Sequence, residues 1–128
     1  MTTEITDPAT GTALAVEAME RNVDRIRRAL ESMAERMADL PPLMDARPEA
    51  KADGARLVLQ AWTEDEVHAW ARAFGETAEA VEEDGYHGGP ALRTTSEFSV
   101  CGVPVRVVSY ETFTASQWAA RGTSAVAA

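Results

Sequence analysis

The sequence predicts an α+β protein, in which a long N-terminal helix of coiled-coil character is followed by a small β-α-β-β unit with a three-stranded sheet. Three patterns predict it. A heptad stripe runs unbroken from Val16 to Leu40, a capping box follows a short apolar run, and a hairpin pattern frames Cys101-Gly102. The expected organisation is a flexible leader over 1–11, a dimerisation helix over 12–40, a linker over 41–54, the β-α-β-β domain over 55–113 and a tail over 114–128.

The helix is the strongest signal. Val16, Met19, Val23, Ile26, Leu30, Met33, Met37 and Leu40 alternate spacings of three and four, and every expected a and d position is apolar. Charged residues fill the other faces, with Glu17 and Arg21, Asp24 and Arg28, and Arg27 and Glu31 one turn apart. Thr12 is the expected N-cap, and Pro41-Pro42 stop the helix because neither can donate a backbone hydrogen bond. From Ala13 to Leu40 it would measure about 42 Å at roughly 1.5 Å per residue. A domain of some 60 residues has a radius of gyration of only about 10 Å. A stripe so long is expected to find its cover in a second copy, as a homodimer, with the direction of pairing left open.

Arg56 to Trp62 is an apolar run free of Gly and Pro and is expected to be a buried strand. Thr63 and Glu66 then form a capping box, and Val67, Trp70, Ala71, Phe74, Ala78 and Val81 recur at helical spacing, with Gly75 as an interruption or C-cap. Asp84 to Pro90 is dense in turn residues and reads as a loop. With Cys101-Gly102 as a two-residue turn, Val100 faces Val103, Phe98 faces Val105 and Ser96 faces Val107. The other side then pairs Glu97 with Arg106 and Ser99 with Pro104, which puts apolar with apolar and acid with base. Pro104 implies one unpaired edge there.

Composition narrows the functional classes. There are 12 basic against 21 acidic side chains, a formal charge of −9, which argues against nucleic acid and against a basic membrane-surface helix. No apolar run reaches the roughly 18 residues of a membrane span. The first eleven residues lack the basic and apolar regions of a signal peptide, so the expected location is cytoplasmic. Cys101 is the single cysteine and can form neither an internal disulfide nor a cysteine-built zinc site.

No catalytic constellation emerges, and no cofactor motif or metal-ligand set is expected. His68 lies between Glu64 and Arg72 on a helix flank and reads as a surface residue; Gly85, Gly88 and Gly89 lack the Lys and Ser or Thr of a phosphate-binding loop. The strongest electrostatic feature is Glu64 to Asp84, where eight acids face Arg72 alone. The expected function is a non-enzymatic protein-protein interaction module. It dimerises through the heptad residues and offers an acidic surface, with Glu82, Glu83, Asp84, Tyr86 and His87 as the candidate contacts, to a basic protein partner. The alternative is a small-ligand-binding regulatory module built on the Gly85 to Pro90 loop, with Tyr86 and His87 touching the ligand.

Overall fold

A computed structural model describes residues 7–127. Its elements are α1 (Pro8–Met37), β1 (Asp45–Lys51), β2 (Gly54–Gln60), α2 (Glu64–Ala73), β3 (Glu79–Asp84), β4 (Pro90–Val100), β5 (Val103–Thr112) and α3 (Ala115–Ala127). The α+β class with a long N-terminal helix is as the sequence predicts, but the sheet has five strands, in the order β1-β2-β5-β4-β3.

Helix α1 begins four residues before Thr12. Asp7 caps it, its carboxylate accepting from the Ala9 backbone N–H at 3.1 Å and from the Thr10 hydroxyl at 2.7 Å. Pro8 occupies the first turn, where a missing N–H costs nothing. Regular helix ends at Met37, and one looser turn carries the chain through Leu40 to the prolines.

The stripe that α1 turns to the sheet is Asn22, Ile26, Ala29 and Met33, one step round from the heptad seam. Asn22 is there because its side chain is satisfied: Nδ2 donates to the Lys51 carbonyl at 2.5 Å, and Oδ1 accepts from Arg25 at 3.2 Å. Arg25 also donates to the Gly102 carbonyl at 3.0 Å, so α1 is tied to both hairpin tips at one level.

Strand β1 occupies the expected linker and pairs antiparallel with β2, from Asp45 opposite Gln60 to Lys51 opposite Gly54. Pro48 is accommodated because β1 is an edge strand. At the other edge, β3 runs through residues expected to continue the buried helix face. That face ends early: the Glu76 N–H bonds to Ala71 O and the Gly75 N–H to Arg72 O, closing α2 in a Schellman turn. Val81 consequently sits exposed on a strand, while Val67, Trp70 and Ala71 are buried as expected.

The capping box at Thr63 and Glu66 is present, and the β4-β5 hairpin has the predicted register, Val100 with Val103, Phe98 with Val105 and Glu97 with Arg106. Positive φ at both Cys101 (50°) and Gly102 (76°) suits the tight two-residue turn. Strand β2 joins β5 in parallel from Leu57–Val105 to Gln60–Val108, which leaves Pro104 just outside that ladder.

Both α1 and α2 pack on one face of the sheet. The core there comprises Met33, Leu57, Leu59, Val67, Trp70, Val105 and Val107, with Phe74 stacked on Phe98 at 4.7 Å. The opposite face carries cross-strand ion pairs, Arg56 with Glu49 at 2.6 Å, Arg93 with Glu83 at 3.1 Å and Arg106 with Glu97 at 3.8 Å. The expected tail folds as α3. Thr114 and Gln117 cap it reciprocally, at 3.1 and 2.9 Å, and Trp118 lies against Phe113 at 5.2 Å.

Candidate interaction surfaces

The heptad residues divide into two groups. Ile26 and Met33 are buried against the chain's own sheet, and Leu30, Met37 and Leu40 pack half-buried against the same core. Val16 (45% exposed), Met19 (43%) and Val23 (42%) face solvent, joined by Leu14. The division follows from position. Asn22 and Arg25 meet the hairpin tips, so Pro8 to Arg21 extends past the sheet, an overhang of about 21 Å at roughly 1.5 Å per residue. None of its residues is buried.

Beside the exposed ridge lies an apolar groove lined by Val23, Ile26, Arg27, Leu30, Pro48 and Ala50. Pro48 and Ala50 pair with Leu57 and Ala55, so they share the helix-bearing face of the sheet. Sequence reasoning missed these two groove residues because they fall in the supposed linker. The missed signal was alternation: Asp45, Arg47, Glu49 and Lys51 are charged, and Ala46, Pro48 and Ala50 between them are apolar.

The acidic stretch is split between two elements. Glu64, Asp65 and Glu66 occupy the first turn of α2, where carboxylates favour the helix dipole. Glu64 pairs with Arg121, and its backbone N–H donates to Glu111 at 2.6 Å. Glu79, Glu82, Glu83 and Asp84 lie on β3, where Glu83 holds Arg93.

The free edge of β3 follows from its ladder. Gly85 N–H donates to Gly89 O at 2.7 Å, one step beyond the Asp84–Pro90 pair. Antiparallel pairs alternate between bonded and non-bonded. Glu79, Val81 and Glu83 thus bond to β4, and Ala80, Glu82 and Asp84 turn their backbone groups outward.

The loop after β3 separates the two remaining candidates. Tyr86 is 87% exposed and stacks on Tyr110 with centroids 6.2 Å apart, while Arg93 covers the Tyr110 ring at 5.1 Å. His87 folds back, with Nε2 3.0 Å from the Phe113 carbonyl and its ring filling the space beside Gly85 and Gly89. An open cleft of about 500 Å³ does border this loop, lined by Glu82, Glu83, Asp84, Gly88, Gly89, Pro90 and Trp118. Tyr86 and His87 are not among its walls.

Among the described residues, no group of three or more His, Cys, Asp or Glu side chains is placed to hold a metal ion, and no helix is long and apolar enough to cross a membrane. No family model matches the chain, and neither a curated protein nor a solved structure does.

Proposed function

We propose that this chain is a non-enzymatic protein-interaction module that self-associates through α1 and presents the acidic β3 edge to a basic protein partner. The observation that carries the reading is the overhang. Leu14, Val16, Met19 and Val23 stand exposed along one helix. An isolated helix with such a ridge gains little from propensity and is stabilised chiefly by burying its apolar face. Light scattering behind a sizing column is expected to give twice the 13.8 kDa chain mass at micromolar concentration. A monomer there removes the self-association reading.

For the basic partner, the support is the combination of outward backbone groups at Ala80, Glu82 and Asp84 with the carboxylates of Glu79, Glu82 and Asp84, which make no ion pair among the described residues, a surface fitted to an added strand rich in lysine. Calorimetry with a lysine-rich extended peptide is expected to show binding that weakens with salt and disappears in Glu82→Lys. The cleft beside Trp118 supports the second reading, a small-ligand module. Metabolite-induced thermal stabilisation that is lost in Trp118→Ala would favour it over the interaction module.

A further inference from the structure

The overhang and the groove lie on the same helix, one toward each end. Val16 and Met19 belong to the overhang, Ile26, Leu30, Pro48 and Ala50 line the groove, and Val23 belongs to both. Resting on the self-association reading, we infer that two copies pair their α1 helices antiparallel, about a two-fold axis passing at the level of Val23 and Asp24. Each overhang then fills the groove of the other copy.

A symmetric pair must satisfy both surfaces at once. Parallel pairing sets overhang beside overhang and leaves both grooves, with Pro48 and Ala50, in water. The antiparallel arrangement exchanges them, so Val16 and Met19 of one copy lie along the Ile26 to Leu30 turn of the second. It also separates the bodies. Each sheet sits on the C-terminal half of its own α1 and therefore at opposite ends of the pair.

Charge supports the same direction. Glu20 and Arg27 both occupy e positions on the groove side, and the axis puts Glu20 of each copy opposite Arg27 of the other, twice per dimer. In a parallel pair the e residues would meet g residues, here Ala15, Asn22 and Ala29, which carry no charge.

Three variants in a Cys101→Ser background test the direction separately from association itself: Glu20→Arg, the exchange Glu20→Arg with Arg27→Glu, and Val16→Cys. Sedimentation should show the single reversal weakening the dimer about tenfold and the exchange restoring it. Val16→Cys should form no disulfide-linked dimer under oxidation, because the two copies of residue 16 lie about 22 Å apart along the axis at roughly 1.5 Å per residue. A dimer that ignores both charge variants overturns the antiparallel pairing but keeps the self-association reading, as does rapid linkage through Val16→Cys. A monomeric parent protein overturns both. Retained far-ultraviolet circular dichroism at the parent's level distinguishes lost pairing from lost folding.

Discussion

The indole nitrogen of Trp70 donates to the carbonyl of Pro41 at 3.1 Å. Through this contact the middle of α2 holds the point where α1 turns into β1, and the ring itself is buried between them in the main core. Trp70→Phe should keep most of the packing but leave the Pro41 oxygen without its donor, at a cost of about 1–2 kcal/mol. Trp70→Ala should cost about 3–5 kcal/mol. Urea denaturation followed by circular dichroism measures both, and equal losses would show that the hydrogen bond and not the ring volume dominates.

Gly85 and Gly89 are each held to glycine by the His87 ring and by one backbone oxygen. A Cβ on Gly85 would run into the His87 ring, a side chain that can swing away, and would also approach the Gly89 backbone oxygen at 3.1 Å. One on Gly89 would approach His87 Nε2 at 2.8 Å and also the backbone oxygen of Phe113 at 3.0 Å. Each alanine substitution should destabilise by about 1–3 kcal/mol. Combined with His87→Ala, each substitution should lose the part of its cost that the ring imposes and keep the part set by its backbone oxygen, with the larger relief at Gly85, whose Cβ would lie nearer the ring. Thermal melts of the four variants read this directly.

Thr94 and Ser109 face one another across β4 and β5, both fully buried, and among the described residues neither hydroxyl has a hydrogen-bond partner. Thr94→Val and Ser109→Ala remove the polar groups with little change of shape. Each should stabilise by about 1 kcal/mol. A drop in melting temperature for either variant would contradict this.

Two carboxylates are held below the ordinary carboxylate range, Asp7 by the Thr10 hydroxyl and then the Ala9 N–H, Glu49 by the Arg56 guanidinium. Both favour the charged form in the folded chain. Their support is complete above the unfolded carboxylate range and disappears as pH falls through the lowered values. Carboxyl NMR titration should place both midpoints low, and Arg56→Gln should return Glu49, but not Asp7, to the usual range.

Legibility in the sequence followed the kind of signal each element carries. The Thr63 and Glu66 box and the β4-β5 register rest on interactions between near neighbours, and each leaves a local pattern. Strand β3 leaves none, because Glu79 to Asp84 holds four acids in six residues and becomes a strand only by pairing with β4. The heptad seam is divided in a specific way. Asn22 and Ala29 look like surface positions until the Lys51 carbonyl and the close approach of the sheet give them partners, and that rotation of α1 buries Ile26 and Met33 against the chain's own sheet. Tyr86 and His87 are adjacent in sequence, yet one turns to solvent and the other braces its own loop, a difference set by where Phe113 lies.

The parallel pairing of Leu57 with Val105 also orders events during synthesis. When the first half of the chain leaves the ribosome, β2 has β1 on one side and nothing on the other, and Leu57 and Leu59 await the strand that completes their cover. β5 is translated after the other four strands. A chain stalled before Val103 can build α1 and the first hairpin but cannot close the middle of the sheet, so productive folding waits until β5 has been made.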